Sequence, residues 1–267
     1  MLPVYKAISF QKVIEKGGHT KPWVVIVDAS GTLKPFVVKL FETYYIENND
    51  CVANEMLGNV LSKEFGLPAP NAALIDLDSD FRSTLRNFNL LERIENTDDR
   101  LKFGTELLES VLPFEVAAYD SGQARALLDI DSIFAFDNLI RNRDRTRQPP
   151  NILISNNAPY LIDHEMGFDI TNFTFNELSD SRWDNKYYRN HIFFNYLKNS
   201  WPSTKNEYFN EFEEYLRLLN PAVLDSYFLQ LSKHGFSTGK HPIIKDYLTK
   251  MHQNSAKFVN LMRGIIQ

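Results

Sequence analysis

Cysteine is almost missing: Cys51 stands alone among 267 residues. No intramolecular disulfide can close, and no cysteine-rich zinc site can be assembled. That agrees with a reducing compartment. Glycine and proline are sparse, at 11 and 12 residues, which excludes collagen-like repeats and Pro/Gly-rich disorder. No run approaches the roughly 20 apolar residues that a membrane helix needs. Lys6, Lys12, Glu15 and Lys16 interrupt the N-terminal stretch where a signal peptide carries its apolar core. The expected location is cytoplasmic, without a membrane span. Excess positive charge is also lacking. With 29 Lys+Arg against 34 Asp+Glu, the formal charge is −5, so there is no broad basic footprint and no direct nucleic-acid binding is expected.

What is present is an ordinary globular balance, 43% hydrophobic and 24% charged. The length admits one large domain, or two smaller ones with a ligand cleft between them. The texture changes along the chain. Residues 23–27 and 36–41 are β-branched, apolar runs around the turn Asp28-Ala29-Ser30-Gly31, which predicts antiparallel strands. Val52, Met56, Val60, Leu61 and Phe65 repeat at helical spacing until Gly66 and Pro68 stop them. Residues 72–75 and 101–108 read as further strands, and Phe81, Leu85, Phe88 and Leu91 as one helix face. From about residue 120 the pattern is mainly helical, with 127–141 as a buried helix. A polar loop, 142–150, precedes two short apolar runs, 152–154 and 160–162. They flank Asn156-Asn157-Ala158 and predict a hairpin ending in Asp163-His164-Glu165. The expected fold class is α+β, with a β-rich N-lobe over residues 1–108 and a mainly helical C-lobe over 109–267.

The hairpin carries the chemistry. It sets Asp144 in a loop, Asn151 at its start and Asp163 at its far end, so folding it back brings Asn151 and Asp163 together. Phosphoryl transfer from ATP asks for such a set. Mg²⁺ prefers hard oxygen ligands, which an Asn amide and a carboxylate supply, and a second carboxylate takes or orients the acceptor hydroxyl. Upstream, Val37-Val38-Lys39 is similar to the Val-Ala-Ile-Lys strand motif whose lysine pairs with phosphates. Glu55, 16 residues on and on the predicted helix, is placed to hold that lysine. Gly17-Gly18-His19-Thr20-Lys21-Pro22 is a turn whose backbone N–H groups can approach phosphates. Arg141, Arg143, Arg145 and Arg147 either form a solvated basic loop or contact phosphate or an acidic substrate, with Arg145 the best placed. Each signal alone has a plain reading: Lys39 as an edge-strand charge, Asn151 as a turn residue, Glu55 as a solvent-facing helix residue. Their order and joint occurrence favour the functional one. His191, His234, His241 and His252 have no ligand-like spacing.

This text resembles the HipA-like kinases, a distant branch of the protein-kinase-like fold. The matching residues are Asn142-Arg143-Asp144-Arg145-Thr146, then Pro150-Asn151-Ile152-Leu153 and Leu161-Ile162-Asp163-His164. The Gly-Gly turn, Val38-Lys39, Asn54-Glu55, Gly66-Leu67-Pro68-Ala69-Pro70 and Phe103-Gly104-Thr105 also match. The resemblance spans about residues 14–168. It implies a bilobal protein-kinase-like fold, ATP and Mg²⁺ as cofactors, and a protein Ser/Thr acceptor. Asp144 is then the catalytic base, Asn151 and Asp163 the metal ligands, and Lys39 the phosphate-binding residue oriented by Glu55. Gly17, Gly18, Thr20 and Arg145 contact the nucleotide, and adenine lies near 108–113. An antitoxin-like or regulatory partner is a further implication. The departures are the wider spacing of Asp144 and Asn151, His164-Glu165 in place of Phe-Gly, and no Ala-Pro-Glu after it, so activation-segment logic is not carried over. Alternatives are a small-molecule or lipid kinase on the same scaffold, a non-catalytic ATP-binding or partner-binding module, and AMP transfer.

Overall fold

Apolar β-branched residues concentrate in the first hundred positions, and in the computed structural model they form strands. The described residues are 1–15, 21–148 and 150–267. In chain order the elements are β1 (Val4–Val13), β2 (Trp23–Ala29), β3 (Thr32–Val38), α1 (Thr43–Asn49), α2 (Cys51–Glu64), β4 (Ala72–Asp76), α3 (Ser79–Thr84), α4 (Phe88–Glu95), β5 (Lys102–Glu106), β6 (Leu112–Pro113), α5 (Ser121–Leu127), α6 (Ile130–Leu139), β7 (Ile152–Ser155), β8 (Ala158–Leu161), α7 (Thr174–Ser179), α8 (Phe194–Lys198), α9 (Pro202–Lys205), α10 (Asn210–Leu218), α11 (Asp225–Lys233), α12 (His241–Gln253) and α13 (Ser255–Ile266). They fall into two units that interleave along the chain. The first takes Met1–Met56, Pro70–Glu109 and Ser226–Thr238, the second Leu57–Ala69, Ser110–Asp225 and Gly239–Gln267. Among the described residues no helix is long and apolar enough to cross a membrane.

The first unit is built on a closed barrel of order β1-β2-β3-β5-β4. Four of its pairings are antiparallel, and the parallel pairing of β1 with β4, Val4 opposite Leu74, closes the ring. Closure removes exposed edges. Register shifts in β1 between Ala7 and Ser9 and between Phe10 and Lys12 supply the bending that closure needs. Trp23, Val25, Val27, Phe36, Val38, Ala73 and Ile75 fill the interior, capped by Phe81, Leu85 and Ile94. A Cβ on Gly104 would stand 2.9 Å from Ile75 Cγ1 and 3.3 Å from Val38 Cγ2, so glycine lets three strands pack side by side there. The single helix face expected over 81–91 is instead two short helices. Leu85 is extended, and the side chain of Asn87 caps α4 by accepting the Asn89 N–H. Phe88 consequently points to solvent, 75% exposed.

The second unit wraps helices around α6, in which every residue except Asp131 is buried. The expected helix over 127–141 starts later, because Asp129 caps α6 after α5 has ended at Leu127. Aromatic rings make the core. Phe65 stacks on Phe212 at 4.8 Å and meets Phe136 at 5.6 Å, while Phe134 approaches Phe194 and Phe209. Such pairs add to the burial itself. A small antiparallel sheet, β6-β7-β8, lies in the same unit. Its β7–β8 turn uses Asn156 and Asn157, both at positive φ, as tight hairpin turns require.

Candidate active site

Lys39 follows β3 directly, its N–H donating to the Phe103 carbonyl at 3.2 Å. Its ammonium pairs with the Glu55 carboxylate of α2, and the two side chains are 15% and 2% exposed. A carboxylate buried this deeply is sustained by such a partner. Both residues belong to the first unit. Gly17, Gly18 and Thr20 lie outside the described residues.

The remaining candidate residues sit in the second unit. Asp144 is half-buried, and local bonds help to place it. Its N–H donates to Asn142 Oδ1 at 3.1 Å, and its carbonyl accepts the Thr146 N–H at 2.8 Å. Its Oδ2 accepts Asn151 Nδ2 at 3.0 Å. The hairpin returns the chain to the same place, because the Ile162 N–H donates to the Asn151 carbonyl at 3.1 Å. Asp163, one residue on, thus lies beside Asn151. Asn151 and Asp163 both hold left-handed backbone, at φ 53° and 62°, which Asn and Asp tolerate better than most residues. Carboxylate oxygens of Asp163 and Glu165 come within 4.8 Å of each other. With the Asn151 amide nitrogen turned to Asp144, the oxygen is the atom Asn151 offers to a cation. Amide and carboxylate oxygens form the hard donor set that suits Mg²⁺.

His164 fills a buried slot. It is 1% exposed, its ring stands edge-on to Phe136 at 6.2 Å, and its Nε2 lies 3.4 Å from Ser62 Oγ on α2. Packing of that ring fixes the turn that presents Asp163 and Glu165.

Arg145 is not a solvated loop residue, because its side chain is fully buried, 0% exposed. Its Nε donates to Asp137 Oδ2, and its Nη1 donates to the carbonyls of Asn151 and Ile162. Asp137, also 0% exposed, is the hub. Its Oδ1 accepts Asn142 Nδ2 at 2.9 Å, and its Oδ2 lies 3.0 Å from His191 Nε2. Burial works against ionising Asp137, but the Arg145 charge and the His191 hydrogen bond outweigh it and hold the carboxyl well below its usual range. Burial lowers the His191 pKa and keeps the ring neutral. Its Nδ1 accepts the Phe193 N–H at 3.2 Å, so the proton sits on Nε2 and faces Asp137. Asp137 and His191 were not singled out from the sequence. The one available signal was a lone charge inside the apolar run Phe134-Ala135-Phe136-Asp137.

The segment expected to face adenine, 108–113, includes the point where the chain leaves the first unit after Glu109. Leu112 and Pro113 pair there with Ile154 and Leu153.

A family model described as HipA-like kinase matches residues 11–225. A comparison with curated proteins finds no match. Among solved structures, a Helicobacter pylori proinflammatory kinase, CtkA, is similar over 100% of this chain and 98% of its own, with 11% identity and a TM-score of 0.50. At that identity the likeness concerns the fold alone. The choline kinase LicA from Streptococcus pneumoniae also matches, at 13% identity over 95% of this chain and 94% of its own, with a TM-score of 0.31.

Proposed function

The chain belongs to the HipA-like kinase family, and from that premise we propose that it transfers the γ-phosphoryl group of ATP, with Mg²⁺, to a hydroxyl acceptor, a serine or threonine of a protein. The observation that carries this reading is the Asp144–Asn151 hydrogen bond at 3.0 Å, made beside the hairpin turn that presents Asp163. One general base and two hard-oxygen ligands in one place are what phosphoryl transfer requires of a protein.

On this reading Lys39 and Glu55 serve the nucleotide phosphates, and Asp144, Asn151 and Asp163 serve the transfer itself. Asp144 accepts the proton of the acceptor hydroxyl as its oxygen bonds to the γ-phosphorus. The bond from phosphorus to the β–γ bridging oxygen breaks, and ADP leaves with that electron pair. Asn151 and Asp163, with Glu165 close by, would hold Mg²⁺. When bound, the cation neutralises charge on the phosphate oxygens. Lys39, kept in place by Glu55, sets its ammonium against the α- and β-phosphates. Positioning and charge compensation supply most of the rate enhancement.

Incubation with γ-labelled ATP and Mg²⁺, with a cell lysate as the source of acceptors, tests the proposal. Label on protein Ser or Thr with the wild type, and none with Asp144→Asn or Asp163→Asn, is the expected outcome. Label confined to lipid or small molecules would reject the protein acceptor. ATP stabilisation without any transfer would reject catalysis. Addition of about 329 Da rather than about 80 Da to the product would mark adenylyl rather than phosphoryl transfer.

A further inference from the structure

The buried charges beneath the Asp144 loop do more than fill space. Asp137 lies mid-helix in α6, among residues that are almost all buried. A carboxylate there is costly unless every oxygen is paired, and well-packed apolar side chains would serve stability as well or better. Asn142, Arg145 and His191, whose side chains bond Asp137, lie outside α6, and each is tied to the candidate catalytic segment. Asn142 bonds Asp137 through Nδ2 and the Asp144 N–H through Oδ1. Arg145 bonds Asp137 through Nε, and through Nη1 the carbonyls of Asn151 and, at 3.4 Å, Ile162. His191 donates to Asp137, and the next residue, Ile192, donates its N–H to the Arg145 carbonyl at 3.0 Å. One carboxylate thereby anchors the backbone of the base, of one cation ligand and of the residue before the other.

We infer that Arg145, held by Asp137 and His191, is the positioning residue of this site, fixing Asn151 and the entry to Asp163 relative to Asp144. The inference rests on the phosphotransfer reading given above. A guanidinium is suited to the task because its fork donates in fixed, divergent directions, so Asp137 is engaged on one side and two carbonyls on another. An ammonium is a point donor on a flexible stem and cannot hold all three in one plane. The charge is spent inside the protein, which accounts for an arginine that follows the base yet never meets solvent.

The test compares wild type with Arg145→Lys and His191→Gln, taking Asp144→Asn as the reference for loss of the base. For each, kcat, KM for ATP, the Mg²⁺ concentration at half-maximal rate and the thermal midpoint are measured. Hydrogen exchange at the Ile162 amide, which donates to Asn151, is followed without nucleotide or metal. Arg145→Lys is expected to lower kcat by about ten- to a hundredfold, the usual size of a lost supporting contact at a metal site. Its Mg²⁺ requirement rises, KM changes less than kcat, and the Ile162 amide exchanges faster while the rest of the second unit stays protected. His191→Gln keeps an N–H for Asp137, gives the same pattern on a smaller scale, and carries the test if Arg145→Lys does not fold. A lowered midpoint with unchanged kcat, Mg²⁺ requirement and Ile162 exchange overturns the inference and leaves the cluster a structural role. An active wild type alongside equally active variants overturns this inference alone, whereas a wild type that transfers nothing overturns the phosphotransfer reading and this inference with it.

Discussion

Gly58→Ala adds one methyl group to α2, and the structure says where it goes. An alanine Cβ at this position would stand 2.3 Å from His164 Cβ and 2.4 Å from His164 Cγ. Those atoms sit next to the backbone and cannot swing aside like the tip of a long side chain. Two terms of opposite sign compete. Exchanging glycine for alanine inside a helix stabilises by about 0.5–1 kcal/mol. Overpacking a filled core costs about 1–3 kcal/mol, and contacts this short put the cost in the upper part of that range. The net is destabilisation by about 1–2 kcal/mol, or a fall in Tm of about 2–8 °C for a chain of this size. Because His164 must retreat, Asp163 moves with it, and kcat falls as well. Gly264→Ala is the control. Its Cβ meets nothing within 4 Å, so the helix-propensity gain stands alone and Tm rises slightly. Both proteins are read by thermal unfolding and by a phosphotransfer rate. A Gly58→Ala protein with raised Tm and unchanged kcat would refute the view that His164 is wedged against α2 to place Asp163.

Three further outcomes are expected. Burial pushes the Asp131 carboxyl up to about 7, so its contribution to stability is present in acid and lost as pH rises through about 7; Asp131→Asn, which keeps an acceptor for the Phe209 N–H, should raise Tm at pH 8 and leave it little changed near pH 4, as thermal melts across pH will tell. His191 is held below its ordinary value by burial, so its contribution is present above about pH 6.5 and fades on acidification as the unfolded chain takes up a proton that the fold refuses; His191→Gln should flatten the slope of Tm against pH between about 5 and 7. Lys39→Ala should abolish the rise in Tm that ATP gives the wild type, since binding stabilises only as far as affinity allows, and an undiminished rise would remove Lys39 from the nucleotide site.

Local features were legible in the sequence, and long-range ones were not. The β7–β8 hairpin announces itself through two apolar runs around Asn156-Asn157, and its closure brings Asn151 to Ile162. The pairing of Lys39 with Glu55 was readable because strand and helix patterns flank them at a separation of 16 residues. Barrel closure was not readable: β1 and β4 meet in parallel, and nothing in either run names the other. The break between α3 and α4 escaped notice because the apolar spacing of 81–91 continues through Leu85 and Asn87, where capping overrides it. The burial of Arg145 was not legible for a related reason. A polar loop with four arginines looks solvated, and the carboxylate that draws one of them inward lies on α6, with the third member, His191, 54 residues from Asp137. A lone aspartate in an apolar helix was the only local sign.

The most direct test of the central claim is the mass of a purified Ser/Thr acceptor, or of the protein itself, after incubation with ATP and Mg²⁺, with Asp144→Asn run in parallel. The account predicts a gain of about 80 Da with the wild type, the mass of one phosphoryl group, and no gain with a folded Asp144→Asn protein. An equal gain with Asp144→Asn, or a wild type that binds ATP and modifies nothing, would contradict it.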